Sequence, residues 1–177
     1  MESSEAVLSN EERDLGVCLI DIGCGTTDIA IFTDGTIKHT AVIPIGSQMI
    51  TNDIRIILCT SLDAAEEIKI QYGCVSSNSD LDVKIPVPSV SDKPDTETTR
   101  TILSQIIAAR VNEIFDAIQK EIANSGNSSK IRAGLVFTGG GAPGGTSRNS
   151  IDFVIIETTG NSQDFGDLFT ALHYPSA

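Results

Sequence analysis

The sequence predicts an α/β fold in which a mixed sheet is flanked by helices and carries an inserted, smaller α/β unit. Residues 17–20 and 29–32 are apolar runs separated by a glycine-bearing turn, and a third apolar stretch, residues 37–45, follows an Asp-Gly turn pair. This order predicts three consecutive strands joined by tight turns. Helical apolar periodicity follows, and residues 133–138 then read as another buried strand. Strands that alternate with helices are typical of the α/β class.

Three helices are predicted between these strands. Residues 47–58 place apolar side chains on one side at helical spacing, and Ser61 can cap a second helix that runs to about residue 71. A third, longer helix is predicted from about residue 98 to 123, because apolar residues recur there every three or four positions. That stripe consists of Leu103, Ile107, Val111, Ile114, Ile118 and Ile122.

Two segments lack strong periodicity. Residues 73–94 are rich in Ser, Asp and Pro, and alternation of Val83, Ile85 and Val87 predicts one short strand within them. Residues 1–14 are acidic and polar, and we expect them to be a disordered leader.

Charge and hydropathy exclude several classes of function. The chain has 177 residues and a net charge of −12 that is spread along its length. Nucleic-acid binding needs clustered Lys and Arg, so this balance argues against it, and against direct contact with an anionic membrane surface. The sequence contains no apolar run of about eighteen residues, and its polar N-terminus is unlike a signal peptide.

The cysteine pattern indicates reduced thiols. Cys18, Cys24, Cys59 and Cys74 form no CxxC pair and match neither a zinc site nor a disulfide framework. We therefore expect buried, free cysteines in a cytosolic protein. Cys24 is the exception, because it stands in the turn after the first predicted strand.

That turn, DIGCGTTD at residues 21–28, is the most informative motif in the chain. Gly23 and Gly25 permit backbone angles that a side chain would forbid, and they let main-chain N–H groups approach a phosphate. Asp21 stands at the strand end, where a carboxylate can hold a Mg²⁺-bound water or orient an attacking one. Two threonine hydroxyls follow. The alternative is an ordinary glycine turn that binds nothing.

The motif resembles the second phosphate loop of the actin/Hsp70/sugar-kinase superfamily of ATPases. Residues 41–54, 65–74 and 136–142 continue, in the same order, with motifs that resemble the bacterial cell-division family FtsA. This resemblance implies an actin-like (ribonuclease H-like) ATPase domain. Residues 15–72 and 131–177 would form its subdomain 2A, incomplete at the C-terminal end, and residues 73–130 the inserted subdomain 2B.

The resemblance also implies a nucleotide site that binds ATP with Mg²⁺. Asp21 would be the catalytic residue and would bind the metal through water. The nucleotide contacts implied are Asp21, Gly23, Cys24, Gly25, Thr26, Thr27, Glu67, Lys69, Gly139, Gly140 and Gly141. A charged helix face and a flexible turn are the alternative interpretations of the helix residues and of the last three glycines.

The family further implies partners and a location. Its inserted subdomain binds the C-terminal tail of FtsZ, and Arg110, Asn112 and Glu113 align with the polar helix face at that site. Arg110 is expected to contact an acidic group of the tail, although a solvated helix charge is an equal alternative. Intact family members self-associate into actin-like filaments, work with other division proteins and link the FtsZ ring to the cytoplasmic face of the membrane at the division site. We expect no membrane insertion by this chain itself.

The sequence departs from the family pattern in three places. Cys24 replaces a residue that is usually glycine, no first phosphate loop is found before residue 15, and the motif pattern changes after Ala142. We therefore expect an adaptor rather than an enzyme, with little or no ATP hydrolysis by this chain alone. A phosphotransferase of the sugar- or acetate-kinase type and a non-functional truncated relic remain the alternatives.

Overall fold

The computed structural model describes residues 7–75, 83–90 and 94–139, and the backbone of residues 154–156. The elements in chain order are helix α1 (Asn10–Leu15), strands β1 (Val17–Ile22), β2 (Thr27–Thr33) and β3 (Thr36–Ile43), helices α2 (Ser47–Leu58) and α3 (Leu62–Tyr72), strands β4 (Lys84–Val87) and β5 (Thr96–Thr99), helix α4 (Arg100–Asn124), a 3₁₀ turn (Ser128–Lys130), and strands β6 (Leu135–Gly139) and β7 (Val154–Ile156).

Five of the described strands form one mixed sheet in the order β3-β2-β1-β6-β7. The pairs β1–β2, β2–β3 and β6–β7 are antiparallel, whereas β1 and β6 are parallel. The last residues of β1 and β6 therefore meet at the same end of the sheet, beside the turn that joins β1 to β2. Strands β4 and β5 form a separate antiparallel pair.

The long helix α4 joins the two sheets into one core. Its C-terminal half packs on one face of the large sheet, where the rings of Phe115 and Phe137 meet edge to face with centroids 5.5 Å apart. Its N-terminal half packs on α2, α3 and the small sheet through Leu103, Ile106 and Ile107. The opposite face of the large sheet is covered in part by Leu8, which is 5% exposed.

Strand β3 lies at an edge of the large sheet within the described residues, and it is largely exposed. Ile37 and Val42 are 44% and 65% exposed, and Lys38 lies between them with its ammonium 3.8 Å from the carboxylate of Asp34. The strand thus presents two apolar side chains and one charge beside its unpaired edge.

Most of the predicted elements are confirmed. Helix α2 occupies residues 47–58 as expected, and the hydroxyl of Ser61 accepts a hydrogen bond from the Ala64 amide at 3.2 Å to cap α3. Helix α4 begins at Arg100, two residues later than predicted, because Thr99 caps it. Strand β5 was not predicted, since its sequence, TETT, carries no apolar alternation.

The expectation of a disordered leader is wrong for the residues that form α1. Ser9 and Glu12 make a reciprocal capping box, in which the Ser9 hydroxyl accepts from the Glu12 amide and the Glu12 carboxylate accepts from the Ser9 amide at 2.7 Å. Such a box satisfies two amides that would otherwise lack partners at the helix start. Burial of Leu8 against the sheet then fixes the helix in place.

Candidate functional site

The turn between β1 and β2 is held by the first residues of helix α2. The Gly23 amide donates to the Thr26 carbonyl at 2.8 Å, which closes the turn. The carbonyls of Gly23 and Cys24 accept hydrogen bonds from the amides of Ser47, at 3.0 Å, and Gln48, at 2.8 Å. The turn and the start of the helix therefore form one hydrogen-bonded unit.

This arrangement directs the amides of the turn outward. A peptide unit is planar and trans, so its C=O and N–H groups point in opposite directions. Because the carbonyls of Gly23 and Cys24 point at α2, the N–H groups of Cys24 and Gly25 point away from it. Within the described part of the chain, the amides of Cys24, Gly25 and Thr26 donate no hydrogen bond, and all three residues are exposed. Successive free amides of this kind suit an anion.

Of the two reasons given above for the glycines of the turn, the one based on special backbone angles is wrong. Neither Gly23 nor Gly25 has a positive φ, so neither backbone conformation excludes a side chain. A Cβ on Gly25 would meet no atom within 4 Å, which leaves open space above its amide. Gly46 is the glycine that the geometry requires, because a Cβ there would lie 2.4 Å from the Cys24 carbonyl oxygen. Gly46 belongs to the motif at residues 41–54 that resembles the FtsA family, but the sequence did not show which contact requires a glycine there.

The side chains of the two threonines differ. Thr26 is exposed beside the free amides, whereas Thr27 is fully buried and its hydroxyl donates to the Ile45 carbonyl at 2.7 Å. The predicted hydroxyl contact from Thr27 to a nucleotide is therefore wrong, because that group is already used to fasten β2 to the segment before α2. Exposed Cys24 places its sulfur 3.0 Å from the Gln48 amide oxygen, which adds a side-chain contact to the turn–helix unit.

Asp21 lies at the same end of the sheet as the turn. It is opposite Asp28 on β2 and Thr138 on β6. Carboxylate oxygens are ligands that Mg²⁺ accepts, commonly with several waters retained. Among the residues that the structure describes, no group of three or more His, Cys, Asp or Glu side chains is placed to hold a metal. A metal ion at Asp21 would therefore have to take most of its ligands from water or phosphate oxygen, and Mg²⁺ binding there stays a prediction.

The last residue of β6, Gly139, lies close to Asp21. Gly139 has a φ of +108°, and a Cβ there would lie 2.3 Å from the Ile22 carbonyl oxygen and 2.7 Å from an Asp21 carboxylate oxygen. This glycine lets β6 end close to the Asp21 carboxylate, and its contact with a nucleotide stays a prediction. Gly140 and Gly141 lie outside the described residues.

A polar cluster joins α2 to α3 one helical turn from Ser47. The Lys69 ammonium donates to the hydroxyl of Thr51 and to the carboxylate of Glu66, both at 2.8 Å, and the Thr51 hydroxyl donates to the same carboxylate. Thr51 is only 1% exposed. Of the two predicted helix contacts, Lys69 belongs to this cluster and Glu67 is an exposed residue outside it. Glu66 was missed, although its spacing of three residues from Lys69 is a helical ion-pair signal.

The cluster changes the acidity of Glu66. Partial burial pushes its pKa upward, but hydrogen bonds from Lys69 and Thr51, together with the Lys69 charge, outweigh that effect and hold the pKa below its ordinary value of 4.5. A depressed carboxylate pKa stabilises the fold above the unfolded-state pKa, and this contribution is lost as the pH falls through the lower, folded-state pKa.

We expect Glu66→Gln to flatten the dependence of stability on acidic pH. The variant lacks the ionisable group, so it should be less stable than the parent at pH 6 and should lose less stability between about pH 5 and pH 3. Urea unfolding across that range measures the difference. Glu67→Gln is the matched control, since it removes an exposed carboxylate from the same helix. Parallel pH curves for the parent and Glu66→Gln would contradict the prediction.

The predicted partner residues lie on α4. Arg110 is largely buried, with Nε and Nη2 donating to the two carboxylate oxygens of Asp53 on α2, at 2.6 and 2.9 Å, and Nη1 donating to Glu113 at 2.6 Å. Hydrogen bonding to Asp53 raises the pKa of Arg110. Asn112 and Glu113 are exposed. The structure thus gives Arg110 an internal role between two helices, and its contact with an acidic partner stays a prediction.

No helix among the described residues is long and apolar enough to cross a membrane.

Comparison with known proteins confirms the predicted family and fold. The family model described as "Cell division protein FtsA" matches residues 18–163. FtsA of Pseudomonas aeruginosa is 48% identical over 141 residues, which cover 79% of this chain and 34% of that protein. FtsA of Escherichia coli K12 is 38% identical over 150 residues, which cover 80% and 36%. The chain therefore spans about a third of the length of these curated relatives.

Solved structures show the same actin-like fold at low sequence identity. MreB5 of Spiroplasma citri, bound to ADP, aligns with a TM-score of 0.65 and 21% identity over 78% of this chain and 46% of that one. MamK bound to AMPPNP aligns with a TM-score of 0.54 and 16% identity over 70% and 41%.

Proposed function

Because this chain belongs to the FtsA family of cell division proteins, we propose that it is a nucleotide-binding adaptor domain that holds ATP and Mg²⁺ at the β1–β2 turn. Its inserted unit would bind the C-terminal tail of FtsZ and so help to link the FtsZ ring to the cytoplasmic membrane at the division site. Other division proteins and further copies of the whole protein would join the same assembly. The matched part of this chain is 34% of the length of the Pseudomonas aeruginosa relative, and the activities of the whole protein are therefore proposed for it.

The observation that carries the proposal is the set of free amides on the turn. Three consecutive exposed residues, Cys24 to Thr26, have amides that donate no hydrogen bond within the described part of the chain, and those of Cys24 and Gly25 point away from the helix that fixes their peptide units. Fixed N–H dipoles bind phosphate oxygens with little reorganisation. Asp21 would hold the Mg²⁺ through water, and the backbone of Gly139, which ends close to the Asp21 carboxylate, would face the nucleotide.

The other residues of the site would act on the sugar and on the reaction rate. Lys69, fixed by Thr51 and Glu66, would lie toward the ribose, one helical turn from the phosphate turn. A single set of amides contacts a phosphate from one side only. Hydrolysis needs donors and an oriented water around the transferred group, so we expect weak hydrolysis at most from this chain.

The proposed contact with FtsZ uses the exposed side of α4. Asn112 and Glu113 are exposed there. Arg110 uses three of the five N–H groups of its guanidinium on Asp53 and Glu113, so two remain for an acidic group of the tail. A fluorescent FtsZ tail peptide should bind the chain saturably, and Asn112→Ala should weaken that binding without disturbing the contact between α4 and α2.

Protection of Cys24 by nucleotide tests the proposed site. In a Cys59→Ser, Cys74→Ser chain, the remaining accessible thiol is Cys24, because Cys18 is buried and burial raises its pKa to about 12. ATP with Mg²⁺ at ten times its Kd should slow alkylation of Cys24 by about tenfold, as the free fraction falls. The control is a Cys24→Ser, Cys74→Ser chain, in which the accessible thiol is Cys59 at the far end of α2. Equal Cys24 rates with and without millimolar nucleotide would overturn the proposal.

A further inference from the structure

We infer that Asp53 and Arg110 are positioning residues for the phosphate turn, so that the seating of α4 on α2 determines how well the turn binds an anion. This inference rests on the proposed nucleotide site, and it assigns to these two residues a role that involves no contact with the nucleotide.

The first step of the coupling is the hydrogen bonding between α2 and the turn. The amides of Ser47 and Gln48 bind the carbonyls of Gly23 and Cys24, and those peptide units carry the amides that face the phosphate. A shift of α2 along or around its axis must therefore rotate these peptide units. The contact between α2 and the turn leaves little space for movement, because Gly46 lies so close to the Cys24 carbonyl that even a Cβ would not fit.

The second step is the attachment of α2 to α4. Asp53 lies in the middle of α2, six residues after Ser47, and the guanidinium of Arg110 binds both of its carboxylate oxygens. The side chains are only 24% and 18% exposed. A two-point contact between a planar guanidinium and a carboxylate restricts orientation as well as distance. The apolar contacts of Ile54 with α4 hold the helices together but tolerate sliding more readily than this pair does.

The polar cluster on the other side of α2 also restrains this helix. Thr51 is bound by Glu66 and Lys69 of α3, so α2 is fixed by directed hydrogen bonds on two sides. Loss of the Arg110 contact leaves one of these sides without a directional constraint. We expect the turn amides to be less well oriented in that case, while the residues that would contact the nucleotide are unchanged.

The test measures nucleotide affinity and Cys24 reactivity together, in the Cys59→Ser, Cys74→Ser chain. Asp53→Asn should weaken ATP·Mg²⁺ binding by roughly 2- to 30-fold, the range for changes along a coupling network. It should also raise the alkylation rate of Cys24 in the absence of nucleotide, because the turn–helix contact loosens. The charge swap Asp53→Arg with Arg110→Asp should restore both quantities toward the parent values.

A second ion pair provides the control. Lys84 and Glu97 join β4 to β5 at 2.7 Å and are mostly exposed, so Lys84→Gln should change neither quantity.

Arg110→Lys keeps the charge but loses the two-point contact, and it replaces Asp53→Asn in the test if that variant does not fold. Parent-like affinity and parent-like Cys24 reactivity in the folded variants would overturn the inference. Absence of nucleotide binding by the parent would instead overturn the proposed function, and the nucleotide-free Cys24 rates would still decide the inference.

Discussion

Gly46→Ala is expected to unseat the phosphate turn and to destabilise the chain by about 1–3 kcal/mol, the usual cost of forcing an extra carbon into a packed contact. The added Cβ would lie 2.4 Å from the Cys24 carbonyl oxygen and 2.7 Å from that of Gly23. Both are backbone atoms, so no side-chain rotation can relieve the clash. The backbone of Gly46 is extended, with a φ of −147°, so the effect is steric and does not come from a forbidden conformation.

Urea unfolding and Cys24 alkylation measure this effect. We expect a lower unfolding midpoint and faster alkylation, because α2 must move away from the turn to accommodate the methyl group. Gly25→Ala is the matched control, since its Cβ would meet no atom within 4 Å and its φ is not positive. It should unfold within about 0.5 kcal/mol of the parent. The same midpoint for both variants would show that the close contact at Gly46 is not maintained in solution.

Phe115→Ala is expected to destabilise the chain by about 3–5 kcal/mol, as large-to-small changes of buried aromatic residues do. Phe115 is 7% exposed and its ring packs edge to face against Phe137, which is 3% exposed. The pair lies where α4 crosses the large sheet, so the substitution leaves a cavity between the helix and the sheet. Single domains are stable by only about 5–15 kcal/mol, and the loss is therefore a large part of the total.

Chemical denaturation followed by circular dichroism measures this loss. Ile102→Ala is the matched control on the same helix, because Ile102 is 43% exposed and its truncation leaves no enclosed cavity. We expect a change below about 1 kcal/mol for it. A similar small change for Phe115→Ala would mean that α4 is not packed on the sheet as described.

The sequence was sufficient for elements with a strong local pattern. Apolar runs separated by turn signals predicted β1 to β3, and apolar residues at every third or fourth position predicted α4 to within two residues. Strand β5 was not predicted, because its polar TETT segment is stabilised by pairing with β4, which no local pattern reveals. The acidic leader was misjudged for a related reason, since Leu8 is ordered by a distant sheet face.

The site was predictable only where the backbone provides it. The DIGCGTTD motif predicted the turn and the place of Asp21 at the strand end, because both follow from one local segment. The outward direction of the turn amides depends in addition on α2, whose first amides bind the carbonyls of the turn. The use of each side chain depends on remote partners. Arg110 and Asp53 are 57 positions apart, and Thr27 is bound to a carbonyl 18 positions away. Composition and periodicity contain no information on such pairs, so the sequence did not reveal the ion pair between Arg110 and Asp53.

Strand β3 has a consequence for how this chain behaves at high concentration. Within the described part of the chain, the edge of β3 is unpaired and flanked by Ile37 and Val42, so a second molecule can stack on it and begin an amyloid-like aggregate. Lys38 lies between those two residues in the sequence, and a charge there opposes stacking, since each added strand would bury it or place it against its own copy. The Lys38 ammonium thus acts against aggregation at this edge.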